Sequence, residues 1–298
     1  MRLGLLLNRA QSGRSGRHGS TLRWLLMLPI LASAITQAAT VPLPAAACRT
    51  GDLFVDGFET NTPYSANPST GGGGVPGDAQ RAVLVTSTGQ TRTYFLRVPP
   101  LHSAARPAPL LVLLHGATGS QATTEAAAQS LRSLFANAAD RHGFIVLAAP
   151  ASGSQGGWLG NQDTAFIAAA ITDIEAQYAI DRQRRGLWGF SAGAHFAHGL
   201  ALDNADFFAA YAIKAGALQA YSSTGAPAAA SRRIPLQSRV GLSDSLLSFA
   251  QADATRFVNA GWIAEHDLQY REVSGGHNVD DSDADAAAAW LCAWAVTP

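Results

Sequence analysis

The sequence predicts an α/β domain built on a mostly parallel sheet, and three observations carry that reading. Continuous apolar runs at 110–114 and 144–148 are the mark of strands buried on both faces. These runs alternate with segments whose apolar residues recur every three or four positions, as on one face of a helix. Between an apolar run ending at Phe190 and a helical stretch from Ala194 stands Gly189-Phe190-Ser191-Ala192-Gly193. That is the strand, turn and helix context in which a serine is held on a sharp turn. The motif alone is expected by chance in about one such chain in five, so its surroundings decide its meaning.

The elements follow in order. Residues 1–23 hold five arginines and no acid, and an apolar run with small residues, broken by Pro29, extends to Ala39. This is the pattern of an export signal over residues 1–39, too short and too interrupted to span a bilayer comfortably. Residues 40–79 read as a tether rich in Gly, Ser and Pro, with a compact amphipathic patch from Cys48 to Glu59. Residues 80–298 read as one domain. Cys48 and Cys292 stand near opposite ends of the chain. After export they could pair and tie the leader to the core, or Cys292 could stay a buried thiol in an apolar C-terminal helix.

Within the domain, 81–86 and 91–98 alternate moderately and predict an antiparallel pair at the sheet edge. The run 110–114 ends in His115-Gly116-Ala117-Thr118-Gly119, a loop at the carboxyl end of its strand, where open α/β sheets bind ligands. Such a loop lets a backbone N–H face the crevice, and the N–H of Ala117 is the candidate. His115 comes too early in the chain to be the base of this kind of site and reads as packing for the loop. Helices are predicted over 124–139 and 163–178, with a strand over 144–148 between them. Asp163 stands where a carboxylate caps exposed N–H groups. Trp158, in the glycine-rich loop 151–162, reads either as lining a substrate pocket or as anchoring a lid.

After the Ser191 turn, strands are predicted over 209–214, 234–240 and 266–273, and helices over 248–260 and 284–295. Residues 216–233 form an Ala-, Ser- and Gly-rich loop. Asp244 follows the second of these strands and His277 the third. Asp203 and Asp206 are other acids near the serine in sequence, but they precede the next strand. His195 and His198 share the helix after the serine without a third ligand nearby, and read as packing. Asp280, Asp281, Asp283 and Asp285 read as an acid-capped helix start.

Composition sets outer bounds. The chain has 298 residues and a formal net charge of zero, and 14% of its residues are charged. No basic field exists to hold nucleic acid, and no Cys/His cluster suggests a structural zinc site. Lys214 is the single lysine.

Ser191, Asp244 and His277 each stand just past a strand end, in the order Ser, Asp, His that the α/β-hydrolase fold requires. With Leu114-His115-Gly116, Asp163-Thr-Ala-Phe-Ile167, Ala179-Ile-Asp181, Trp188-Gly-Phe-Ser-Ala-Gly193, Gly241-x-x-Asp244 and Gly276-His277, residues 80–295 resemble the secreted polyhydroxybutyrate-depolymerase and feruloyl-esterase group of that superfamily. Many members carry Cys at the position of Ala117, and His-Gly where this chain has Arg239-Val240-Gly241. The resemblance implies a carboxylic ester hydrolase without cofactor. Ser191 would be its nucleophile, His277 its base and Asp244 the orienting acid, and the N–H groups of Ala192 and Ala117 would form its oxyanion hole. Its partner would be a small or polymeric ester rather than nucleic acid, with no stable membrane insertion once the signal is cleaved. Its location would be the periplasm or the cell exterior. A small peptidase on the same fold and a non-catalytic binding protein that retains it are the rival readings.

Overall fold

The computed structural model describes residues 67–218 and 227–296, together with the backbone of residues 40–42. The export signal, the amphipathic patch and Cys48 lie outside the described residues. The strands are β1 (Thr40–Pro42), β2 (Gly77–Val85), β3 (Gln90–Val98), β4 (Ala108–Leu114), β5 (Ile145–Ala149), β6 (Ile180–Phe190), β7 (Ala210–Lys214), β8 (Leu236–Gly241), β9 (Leu268–Val273) and β10 (Trp294–Val296). The main helices are α1 (Thr124–His142), α2 (Gly160–Gln177), α3 (Ala192–Asp203), α4 (Leu247–Asn259) and α5 (Asp281–Cys292).

Eight strands form one sheet in the order β2-β3-β5-β4-β6-β7-β8-β9. The β2–β3 and β3–β5 pairs are antiparallel, and every later pair is parallel. The order reverses around β4, which lies between β5 and β6. A crevice therefore opens beyond the carboxyl ends of β4 and β6, where such sheets bind ligands.

The two-residue period of a strand splits its side chains between two cores. Leu110, Val112 and Leu114 of β4, with Ile145 and Leu147 of β5, face the layer of α2 and α3. Leu111, Leu113, Val146 and Ala148 face the layer of α1 and α5. Each fully buried side chain of this kind contributes roughly 1.5–3 kcal/mol. The helices meet the sheet through the predicted faces: Leu131, Phe135 and Ala138 on α1, and Phe166, Ile167, Ala170, Ile171 and Ile174 on α2.

Three features differ from expectation. Part of the stretch predicted as a tether is hydrogen-bonded along the start of β6. Ser69 N–H donates to the Ile180 carbonyl at 2.8 Å, Ala179 N–H to Gly72 at 2.8 Å and Arg182 N–H to Asn67 at 2.9 Å. The C-terminal helix ends at Cys292 rather than 295, and Trp294–Val296 pairs antiparallel with Thr40–Pro42. Cys292 is disulfide-bonded, so it is not the free thiol that its apolar helix suggested.

Behind the serine turn, α3 carries a fully buried His198. Its Nδ1 lies 3.0 Å from the Tyr211 hydroxyl, and its Nε2 has no hydrogen-bond partner. Phe257 stacks on its ring. Burial, with a smaller contribution from His195, pushes its pKa down to about 3. The native ring is therefore neutral where the unfolded ring takes a proton, below pH ~6.5. Stability contributed by the neutral ring is complete above that pH and is lost as pH falls toward 3. In urea titrations, lowering pH from 7 to 5 should cost the wild type about 2 kcal/mol more than His198→Phe. Parallel pH profiles for the two proteins would contradict this.

Candidate active site

The serine is set by a backbone that few residues adopt. Ser191 has φ 52° and ψ −118° at the junction of β6 and α3. Its N–H donates to the Lys214 carbonyl at 3.0 Å, and its own carbonyl accepts from His195 N–H at 3.0 Å. The flanking glycines are fixed by close approach rather than by flexibility. A Cβ on Gly189 would stand 2.4 Å from the Gly193 oxygen, and one on Gly193 would stand 2.1 Å from the Leu114 oxygen. The start of α3 therefore presses directly on the end of β4. Its first N–H groups, Ala192 included, have no partner within the helix.

That contact brings the loop after β4 beside the serine. A Cβ on Gly116 would stand 3.1 Å from the Phe190 ring and 3.2 Å from the Ser191 Cβ, and Ala117, next in the loop, is exposed. The loop is held from below. His115 Nε2 accepts the Ala151 N–H at 3.0 Å, so its Nδ1 carries the proton and donates to the Gly116 carbonyl at 2.7 Å. Burial lowers the His115 pKa and keeps the ring neutral. Trp158 Nε1–H donates to the His115 carbonyl at 2.8 Å, and its ring stacks on Phe196 of α3 at 5.2 Å. Trp158 is 2% exposed. It braces the loop through these two contacts.

Asp244 and His277 arrive from β8 and β9. Ser243 N–H donates to the Gly275 carbonyl at 2.9 Å, joining the two loops. His277 Nδ1 lies 3.0 Å from each Asp244 oxygen, and the Asp244 side chain is fully buried. Leu246 N–H also donates to Asp244 Oδ1, at 2.8 Å. An ionised carboxylate only accepts, so the Nδ1–H of His277 donates to it. Nε2 is then left to accept the Ser191 hydroxyl proton at 2.8 Å. The acid that meets His277 is Asp244, not Asp203 or Asp206.

One contact at the site was not anticipated: the Phe190 ring lies 5.1 Å from the His277 ring. The other histidines and acids of interest stay apart from this chain of hydrogen bonds. His195 Nδ1 lies 2.7 Å from the Ala217 amide nitrogen. Asp280 caps α5 in a capping box with Asp283, as its sequence suggested. Among the described residues no group of three or more His, Cys, Asp or Glu could hold a metal ion, and no helix is long and apolar enough to cross a membrane.

Known proteins resemble this chain in sequence and in fold. Feruloyl esterase C of Emericella nidulans is 27% identical over 151 residues, 49% of this chain and 55% of that protein. A probable feruloyl esterase C of Aspergillus niger is 28% identical over 156 residues, 51% of this chain and 57% of its own length. The chain thus spans little more than half the length of these curated relatives. Among solved structures, a substrate-bound fluorophosphonate-binding serine hydrolase of Staphylococcus aureus superposes with a TM-score of 0.55 at 15% identity, over 73% of this chain and 99% of that one. A CE1 ferulic acid esterase of Anaeromyces mucronatus, solved with ferulic acid, does so at 0.53 and 14%, over 80% and 95%. These two share the α/β-hydrolase fold. The sequence model of the esterase PHB depolymerase family matches residues 92–248, just over half of the chain, and takes in Ser191 and Asp244. His277 lies beyond that stretch and reaches the serine only through the fold. The chain belongs to the esterase PHB depolymerase family.

Proposed function

We propose that this protein is an exported serine carboxylic ester hydrolase that works through an acyl-enzyme. The observation that carries this reading is the unbroken hydrogen-bonded chain from Ser191 through His277 to Asp244. Ser191 Oγ attacks the ester carbonyl as His277 Nε2 takes its proton. The buried Asp244 carboxylate fixes the tautomer and stabilises the imidazolium. The tetrahedral oxyanion forms against the N–H groups of Ala192 and Ala117, each such donor being worth about 10²- to 10³-fold in rate. His277 then returns the proton to the leaving alcohol, and water, activated by the same imidazole, releases the acid.

The family's description favours hydroxyalkanoate oligomers and the relatives' names favour feruloyl esters, with acetyl esters of plant polysaccharide as a further candidate. The residue pattern of positions 1–39 supports export. The full chain should hydrolyse short-chain p-nitrophenyl esters and take up a fluorophosphonate probe at Ser191, located by peptide mass. A panel of methyl ferulate, acetylated xylose and hydroxybutyrate trimer then ranks the substrates by kcat/KM. A folded protein that turns over none of these esters and takes up no probe would sink the proposal and leave the binding-protein reading in its place.

A further inference from the structure

Three charged side chains meet just outside the hydrogen-bonded chain, two of them buried and Arg239 partly buried. Lys214, the only lysine of the sequence, is 3% exposed at the end of β7. Its Nζ lies 3.1 Å from Asp283 Oδ1, and Arg239 Nε lies 2.9 Å from the same oxygen. Asp283 is 1% exposed. Removing these charges from water costs several kcal/mol for each ion, so such a cluster is weak evidence for stability. Replacing a cluster of this kind by apolar residues of similar volume is often neutral or stabilising. The cluster therefore calls for a reason other than stability.

Its connections supply one. The carbonyl of Lys214 accepts the Ser191 N–H, so this residue holds the serine turn by its backbone and Asp283 by its side chain. Arg239 pairs in register with Lys214, and its carbonyl accepts the Ala215 N–H at 2.8 Å, where Ala215 takes φ 54°. Arg239 stands on β8, the strand that delivers Asp244. Asp283 belongs to the first turn of α5, and its Oδ2 accepts the Asp280 N–H at 3.3 Å. It thereby fixes the end of the short segment that begins at His277. One carboxylate, through its two oxygens, ties together the supports of the serine, the acid and the histidine.

We propose that Lys214, Arg239 and Asp283 are positioning residues that hold the His277 imidazole in line with Ser191 and Asp244. The inference rests on the esterase reading. A loosened imidazole fails most where it must hand a proton to a poor leaving group. An alkoxide needs that proton to depart, whereas p-nitrophenolate leaves without it. A variant that merely folds less well loses both activities in equal proportion.

The test compares the full-length wild type with Lys214→Met, Arg239→Gln and Lys214→Arg. Active sites are counted by fluorophosphonate titration. Ethyl and p-nitrophenyl esters of one acyl group are then compared per titrated site. Lys214→Met and Arg239→Gln should shift the ratio of the two rates against the ethyl ester by at least about tenfold, within the range general acid catalysis supplies. Lys214→Arg, which keeps the cation, should return the ratio toward the wild type. An unchanged ratio would overturn the proposal, and so would variants that only lose titratable sites, since the cluster would then serve the fold alone. A wild type that neither takes up the probe nor turns over either ester would instead remove the esterase reading beneath it.

Discussion

Ser191→Ala should lower kcat on p-nitrophenyl esters by about 10⁴- to 10⁶-fold, abolish fluorophosphonate uptake and leave the fold in place. The hydroxyl oxygen is the atom that bonds to the substrate carbonyl as its proton passes to His277, and alanine removes it without adding bulk. Its side-chain hydrogen bond is the one to His277, at a site open to solvent, so the change in stability should stay within about 0.5 kcal/mol. Because the three groups act as a unit, His277→Ala should cost as much, and the double variant little more than either alone. Asp244→Asn should cost about 10⁴-fold, since an amide cannot hold the same tautomer. Near-wild-type turnover by Ser191→Ala, checked against contaminating esterases by mass of the labelled peptide, would remove serine catalysis from this chain.

The sequence exposes those parts of the fold that are written locally. Buried parallel strands are continuous apolar runs, and the strand, serine and helix adjacency is visible at 187–202 because nothing distant is needed to recognise it. Elements that depend on a remote partner are not visible. The stretch 67–76 has the Gly, Ser and Pro content of a linker, yet its N–H and C=O groups find partners at 175–182, over one hundred residues away. Trp294–Val296 reads as the end of a helix because its strand partner, Thr40–Pro42, lies at the other end of the chain. The role of Trp158 turned on whether Phe196 and the His115 carbonyl would meet it, and composition is silent on that. The Lys214–Asp283 pair spans 69 residues. Its one local trace was a lone lysine in a chain whose other fixed cations are all arginines.

Gly241→Ala should lower kcat by about 10²-fold with little change in KM, because it separates the loops of Asp244 and His277. A Cβ at this position would stand 2.5 Å from the carbonyl oxygens of both Gly275 and Gly276. Both obstacles are backbone, so no side chain can swing aside, and either the end of β8 or the loop after β9 must move. The hydrogen bonds joining these loops, Leu242 N–H to Val273 and Ser243 N–H to Gly275, leave little slack between them. Misplacing a catalytic group by about 1 Å is enough for a loss of this size. Two residues before this glycine stands the Arg239 that binds Asp283. The requirement for glycine follows from two backbones meeting just ahead of Asp244. Serine labelling should slow in Gly241→Ala along with turnover, while the far-ultraviolet circular dichroism stays that of the wild type. Wild-type kcat in this variant would mean that the two loops tolerate separation and that Asp244 does not govern the imidazole.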